Sequence, residues 1–364
     1  MKPLNGRPKT PSTIQIKKSI ENNVVVEYKK LVDEWKKCPS QIGKTIPFPI
    51  FDESDITSIC KDVKNVLKLK TAVVQQKPGR IIVGDLYGNI YNLLQIFSMH
   101  GLPPAQNYIF LGNYINVGDY SLEVLVFLLS LYYLFPSNIT LLRGPTEFCP
   151  TSGPRSLSSN IESLYGTNSS LNSIFFDLFT YLPLACMISD YALCSRASLV
   201  SKYRSLDELF QEKLPIPYVN DKNQLFLCGL ASIVPSESTI ADFKEESHLL
   251  YLIMGGKLGS DGVSIILDDS CYIVASDSAN FENGVINLVG NQPPFSIIFR
   301  ANYYLNRDTA NFKRVNRASF QITLPKVCSV NPELKRPSLP SLFKRNSIMK
   351  VPCFSPQPKK FENP

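Results

Sequence analysis

The sequence predicts a mixed α/β domain with polar, basic ends, and three observations carry that reading. Short apolar runs alternate with helix-periodic segments from Arg80 to Gly144. The stretch from residue 184 to 300 is rich in candidate strands. Two amphipathic helical patterns precede both. In order along the chain, Val24, Val25, Val26, Tyr28, Leu31, Val32 and Trp35 fall at helical spacing over 23–37, and Ile56, Ile59, Val63, Val66 and Leu67 line one face over 53–69, with Pro47 and Pro49 between them. Arg80–Val83 then reads as a buried strand running into Gly84-Asp85. Asn89–His100 is helix-periodic and stopped by Gly101. Tyr108–Leu111 is a second strand, Ser121–Leu134 an apolar helix, and Ile139–Leu142 a third strand ending at Arg143-Gly144. This spacing is that of a βαβαβ unit with parallel strands, whose loops at Asp85, Asn113 and Arg143 meet at the strand carboxyl ends, where open α/β sheets place their sites. Helices are expected near 158–165 and 171–180, and strands at 184–188, 191–195, 224–228, 249–253, 263–267, 271–275, 285–289 and 295–299.

Composition narrows the chemistry. The 364 residues contain two histidines, His100 and His248, so a site needing three imidazoles is excluded. The nine cysteines are odd in number and form no Cys-x-x-Cys pair, which predicts reduced thiols and a cytoplasmic or nuclear setting. No signal-peptide pattern is present, and the longest apolar run, Leu122 to Phe135, is too short to cross a bilayer and contains Glu123. The net charge of +7 is unevenly spread: residues 1–22 carry +4 and residues 326–364 carry +6, which leaves −3 for residues 23–325. A mildly acidic folded part argues against nucleic acid as a partner. The expected organisation is a disordered arm over 1–22, one domain over 23–325 and a disordered basic Pro/Ser-rich tail over 326–364. In the two ends, Arg336-Pro337-Ser338, Arg345-Asn346-Ser347, Ser355-Pro356 and Thr10-Pro11 have the look of kinase sites, with a solvated linker as the plainer reading.

Three loops carry a family resemblance. Gly-Asp-Leu-Tyr-Gly-Asn begins at Gly84, Leu-Gly-Asn-Tyr-Ile-Asn-Val-Gly spans 111–118, and Leu-Leu-Arg-Gly-Pro-Thr-Glu spans 141–147. In order and spacing they resemble Gly-Asp-x-His-Gly, Gly-Asp-Tyr-Val-Asp-Arg-Gly and Leu-Leu-Arg-Gly-Asn-His-Glu of the phosphoprotein phosphatases, the metal-dependent Ser/Thr phosphatases of types 1, 2A and 2B. The likeness covers roughly residues 45–300 and thins beyond 190, where Cys194 to Leu199 looks like Cys-x-His-Gly-Gly-Leu and Met254 to Lys257 stands at Arg-Ala-His-Gln. It implies a metallophosphatase-type β-sandwich flanked by helices. It also implies two divalent metals such as Mn, Fe or Zn, a water that attacks phosphate, a His-Asp proton donor and clamping arginines.

Carried over position by position, Asp85 keeps a metal carboxylate. Tyr87, Arg196 and Gly256 stand at ligand histidines, Asn113 at the bridging Asp, Pro145 at the ligand Asn, Thr146 and Asn116 at the proton-donor pair, and Val117 at a clamping Arg. Arg143 and Glu147 keep their family identities. With five of six ligand positions replaced, the sequence reads as a phosphatase-like protein that is not an enzyme, holds no cofactor and works by binding regulatory subunits or phosphoproteins. Two alternatives stay open: a residual metal-dependent phosphatase using Asp85, Asn113, Asn116 and Glu147, and a phosphate or phosphopeptide binder using Arg143, Arg196 and Lys257. Arg196 is expected to project toward Asp85 and replace a metal's charge, while Arg143 and Glu147 are read first as a structural salt bridge. His100 and His248 are read as ordinary helix-end and surface residues, and Trp35 as core. In type-1 relatives a C-terminal sheet edge accepts extended peptides; the corresponding Val285–Phe299 contains Pro293 and Pro294, which put that groove in doubt. No membrane contact is expected, and the oligomeric state is left open.

Overall fold

The computed structural model describes residues 20–218, 233–258, 262–277, 282–289, 292–300 and 303–315. The described residues belong to one compact unit. The expected strand at 224–228, Cys228, Cys328, Cys353 and the Ser/Thr sites of both ends lie outside the described residues.

The first helix, α1 (Ile20–Trp35), starts slightly before the expected residue 23 and buries Val24, Tyr28, Leu31, Val32 and Trp35 along one face. β1 (Phe48–Ile50) and α2 (Glu53–Leu67) follow, then β2 (Val73–Gln76), β3 (Arg80–Val83), α3 (Ile90–His100), β4 (Tyr108–Phe110), α4 (Ser121–Leu134) and β5 (Ile139–Leu141). α5 (Leu157–Tyr165) and α6 (Leu171–Phe179) complete the helical layer. The second half contains β6 (Ala185–Ile188), β7 (Ala192–Arg196), α7 (Leu199–Lys202), α8 (Leu206–Phe210), α9 (Glu237–Glu246), β8 (Tyr251–Gly255), β9 (Val263–Ile266), β10 (Cys271–Val274), β11 (Asn283–Leu288), β12 (Phe295–Phe299) and β13 (Phe312–Arg314).

Two sheets form the sandwich, in strand orders β12-β11-β3-β4-β5 and β2-β6-β7-β8-β10-β9. The alternation of strand side chains builds three cores. Tyr108 and Phe110 of β4 face the helices with Ile81, Val83, Ile139 and Leu141. Ile109 faces the opposite sheet and packs with Ile82, Cys194, Ile253 and Val274. The outer face of the second sheet, including Leu193, Leu252 and Ile273, is covered by Leu199, Leu209, Ile240 and Phe243 of α7–α9. Strands covered on both faces lose the polar alternation of an exposed sheet, which is why their runs read as continuously apolar. α4 is buried nearly all round, as its uniformly apolar sequence requires.

β3, β4 and β5 are parallel in the order the sequence predicts. β2, with its polar second half, and the short parallel pair of β1 with β13 escaped prediction, as did α9, which lies between the expected strands at 224–228 and 249–253. Pro293 and Pro294 lie outside β12, which pairs antiparallel with β11 and forms the sheet edge. The sheet edge is thus present, with the two prolines preceding it. Cys60, Cys149, Cys186, Cys194 and Cys271 are buried and Cys38 is half-buried, and none of these six is in a disulfide. Among the described residues no helix is long and apolar enough to cross a membrane.

Candidate functional site

The loops after β3, β4 and β5 converge at the strand carboxyl ends, and Glu147 fastens them. Its side chain is buried, and both oxygens are fully engaged. Oε2 accepts from the backbone N–H of Asn113 (2.9 Å) and of Gly144 (2.9 Å), while Oε1 accepts from the N–H of Tyr114 (2.8 Å) and from the Thr146 hydroxyl (2.7 Å). Burial pushes its pKa up, against the pull of those donors. The first two loops are zipped by backbone bonds from Tyr87 N–H to Asn113 O (2.8 Å), Gly88 N–H to Tyr114 O (2.7 Å) and Gly118 N–H to Tyr87 O (2.7 Å). Tyr87, Asn113, Asn116 and Val117 all have left-handed φ, between 45° and 67°. A β-branched residue such as Val117 holds this conformation only where its surroundings impose it. Gly112, at φ 94°, lets the Asn113 loop touch the Gly144 backbone: a Cβ there would lie 2.3 Å from Gly144 N.

The sequence-predicted residues divide into three groups. Asp85, Tyr87, Asn113 and Arg196 share one pocket. The Asn113 amide donates to Asp85 Oδ1 (3.0 Å) and to the Tyr87 hydroxyl (3.1 Å), and its oxygen accepts from Thr146 N–H (3.1 Å). Arg196, the last residue of β7, donates Nη1 to Asp85 Oδ1 in an ion pair that is 4% and 2% exposed at its two side chains. The expectation that this guanidinium reaches Asp85 is thus met. Burial opposes its charge, but Asp85, Tyr87 and Glu147 outweigh burial and its pKa is raised. Its Nε is buried without a hydrogen-bond partner.

A second group supports the loops. Asn116 accepts from Leu157 N–H (3.0 Å) at the start of α5, and Pro145 and Thr146 form a 3-10 turn that ends at Glu147. Arg143 does not pair with the Glu147 carboxylate as expected, because that carboxylate is spent on the Asn113 loop. Arg143 donates instead to the Glu147 backbone carbonyl (3.3 and 3.2 Å) and to Ile216 O (2.6 Å), and lies over the Phe148 ring. Burial lowers its pKa to about 9, with Glu147 pulling the other way. The third group stands apart: Val117 is exposed, and Gly256 adjoins Ala197 and Val234 rather than Arg196. His100 ends α3, as expected, and is half-buried with its pKa lowered by burial.

Asp277 is the residue that sequence reasoning missed. Asp85 forms a bridge with Ala275, and Ser276 accepts from Gly84 N–H (2.9 Å), so Asp277 is delivered beside the first loop. Its Oδ1 accepts from Asn89 (2.8 Å) and Asn92 (3.0 Å) at the start of α3. Burial raises its pKa to about 6; Asn89 and Lys257 lower it, and Asp85 raises it. The signal available in the sequence was a carboxylate in the Ser276-Asp277 turn after a strand, matched to amides on a helix almost two hundred positions earlier.

These donors do not fit the two-cation cluster that the resemblance implies. Asp85 is bound to Arg196, Glu147 has no free lone-pair direction, and Asn113 turns its amide N–H toward Asp85. Among the described residues no group of three or more His, Cys, Asp or Glu is arranged to hold a metal ion.

Comparison with known proteins places this geometry. Residues 80–255 match the calcineurin-like phosphoesterase family model. The chain is 30% identical over 176 residues to the Ser/Thr-protein phosphatase PP2A-like PPG1 of Saccharomyces cerevisiae, covering 48% of this chain and 47% of that one. It is 32% identical over 157 residues to the Ser/Thr-protein phosphatase 6 catalytic subunit of Caenorhabditis elegans, covering 43% and 47%. It thus spans about half the length of the curated relatives it matches. A solved Ser/Thr phosphatase from Saccharomyces cerevisiae with similarity to human phosphatase PP5 shares the fold, with a TM-score of 0.55 at 20% identity over 70% of this chain and 91% of that one.

Two expectations are corrected by these matches. The relatives are named Ser/Thr phosphatases, so the reading of this chain as not an enzyme conflicts with its homology. The matched family is one of metallophosphoesterases, so the reading of no cofactor conflicts with that match. Both expectations rest on side-chain identities at single positions, which weigh each replaced ligand but not the loop framework around it.

Proposed function

Because residues 80–255 form a calcineurin-like phosphoesterase domain homologous to PP2A-like Ser/Thr phosphatases, we propose that this chain acts on phosphoserine and phosphothreonine in proteins, as a slow phosphatase assisted by added divalent cation. The observation that carries the reading is the Glu147 clamp: one buried carboxylate fixes Asn113, Tyr114, Gly144 and Thr146, so the three loops keep the convergent geometry of a phosphoester site.

The chain's own contributions are positional. Asp85, Tyr87 and Asn113 form a hydrogen-bonded floor at the strand ends. Asp277 is a half-buried carboxyl whose pKa is raised to about 6, held in place by Asn89 and Asn92, and is the group suited to protonate a departing alkoxide. Without an imidazole in that role the rate is expected to fall short of a complete site by a factor of ~10²–10⁴.

Phosphate release from a phosphothreonine peptide, followed with and without Mn²⁺ over a no-protein blank, tests the proposal. Cation-dependent release that drops at least tenfold in Asp277→Asn is expected. Release indistinguishable from the blank at every cation concentration overturns it.

Regulatory partners belong to the same proposal. The edge strand β12 exposes Phe295 and Ile298, and Leu250, Tyr251, Ile265, Pro294 and Phe295 line a neighbouring cleft of about 630 Å³. An extended partner segment can pair with this edge through backbone bonds and seat its apolar side chains in the cleft. Phe295→Asp should abolish capture of such a segment, and unchanged capture would place the docking surface elsewhere.

A further inference from the structure

A strap from beyond the matched domain reaches back to the site. Residues 303–315 lie outside the 80–255 match, yet they bond to the start of α4, where the Asn113 loop ends. We propose that Tyr304 and Arg307 are positioning residues: they hold residues 119–123, and through them fix the far half of the loop that carries Asn113 and Asn116. Their effect on turnover rests on the phosphatase reading above, whereas the state of the loop is measured without turnover.

The strap is itself anchored. β13 pairs with β1. Phe48 N–H donates to Asn311 O (2.9 Å), Asn311 N–H to Gly43 O (2.7 Å) and Val315 N–H to Ile50 O (2.9 Å). From that base the strap grips Asp119. The Tyr304 hydroxyl donates to Asp119 Oδ2 (2.8 Å) and accepts from Asp119 N–H (3.2 Å). Arg307 Nη1 donates to Asp119 O (3.2 Å) and pairs with Glu123 Oε2 (2.8 Å). Between them, Leu305 O accepts from the Tyr120 hydroxyl (2.6 Å).

Two features make this grip matter to the site. The Glu123 side chain is 3% exposed in the first turn of α4, with Arg307 as its ion-pair partner. A buried carboxylate stripped of its partner is strongly destabilising, so the start of α4 is tied to the strap. The loop before it is strained: Asn116 and Val117 are left-handed, at φ 67° and 66°. Such a conformation persists only where the surroundings over-determine it. Glu147 fixes the near end of the loop through Asn113 and Tyr114. At the far end, Asn116 N–H donates to Ser121 Oγ (2.8 Å), Gly118 N–H to Tyr87 O (2.7 Å) and Tyr120 N–H to Gly88 O (2.9 Å). Asp119 sits among these bonds, so a shift of 119–121 loosens all of them together. Tyr87 carries the effect onward, because its hydroxyl accepts from the Asn113 amide (3.1 Å) beside Asp85.

The test is amide hydrogen exchange on the full chain, read by mass spectrometry, for wild type, Tyr304→Phe, Arg307→Lys and Arg307→Met, with phosphothreonine-peptide turnover measured beside it. Tyr304→Phe keeps the ring against Tyr91 and loses both bonds to Asp119, so it remains decisive if Arg307→Met does not fold. Tyr304→Phe and folded Arg307→Met should exchange at least fivefold faster over 112–120 and at the wild-type rate over β6–β8. Arg307→Lys keeps a charge for Glu123 and should recover part of the protection. Turnover should fall at least fivefold in the loosened variants, in kcat rather than KM. Wild-type exchange over 112–120 in Tyr304→Phe overturns the proposal, as does equal acceleration in β6–β8 or an unchanged kcat in a variant whose loop has loosened. If wild type releases no phosphate, the phosphatase reading fails, and the exchange result still decides whether the strap holds the loop.

Discussion

Two regions of the same pocket are held together by different physics. Around Glu147 a single carboxylate meets four donors, three of them backbone N–H groups within loops already drawn close by parallel strands. Around Asp85 the order comes from an ion pair between residues 111 positions apart, brought together only when the two sheets stack. The first region is saturated. The second leaves Arg196 Nε without a partner and holds a carboxyl, Asp277, far from its ordinary titration range. A saturated cluster fixes shape; an under-satisfied one leaves the free energy of binding or reorganisation available. The difference separates the part of the site that builds the framework from the part where its chemistry is decided.

The largest expected effect comes from breaking the second region. Asp85→Ala strands a buried guanidinium, and removing one partner of such a pair costs ~3–5 kcal/mol. Replacing both residues, as Asp85→Leu with Arg196→Met, should restore most of that stability, because the buried charges disappear together. Urea unfolding of the two singles and the double closes the cycle. Additive losses would show that the two residues stabilise the fold independently.

Glu147→Gln probes the first region with a smaller change. One side-chain oxygen becomes an N–H₂ aimed at backbone donors, so at least one buried N–H loses its acceptor, at a cost of ~1–3 kcal/mol. The loss should be local as well: amide exchange should quicken at Asn113, Tyr114 and Gly144 and stay unchanged in β8 and β10. Uniform acceleration across both sheets would mean that the clamp supports the whole fold rather than its loops.

The unequal legibility of the two regions has the same cause. Gly84-Asp85, the Asn113 loop and the Arg143-to-Glu147 run are consecutive in sequence, follow parallel strands and recur at readable spacing, so both the βαβαβ unit and the convergence of its loops could be read directly. The meeting of Arg196 with Asp85 was legible only through the family resemblance. Asp277 with Asn89 and Asn92 was not, because no local pattern ties a turn after β10 to the first turn of α3. The direction of the Glu147 carboxylate was hidden for a similar reason. Arg143 looks like its natural partner in sequence, but the 3-10 turn over Pro145–Glu147 points the carboxylate at the Asn113 loop and leaves the arginine a backbone carbonyl. α9 went unseen because its buried apolar face consists of Ile240 and Phe243 alone, too few to print a helical period.

The pH dependence of stability gives the finest test of the contrast. Asp277 titrates near 6 in the folded chain against an ordinary 3.8, a shift caused first by burial and then by Asp85, with Asn89 and Lys257 pulling against it. A carboxyl with a raised folded pKa binds its proton more tightly in the folded than in the unfolded state. Its contribution is therefore fully present below about pH 3.8 and is lost as the pH rises through about 6. At ~1.4 kcal/mol for each unit of difference, the wild type should lose on the order of 3 kcal/mol from this group between those limits. Asp277→Asn keeps an oxygen for Asn89 and Asn92 and cannot ionise, so its stability curve should lie flatter over that interval and cross above the wild type near neutrality. Parallel curves would mean that water or Lys257 already neutralises Asp277 in the folded chain, and that the charged side of the pocket is as well satisfied as the side built by Glu147.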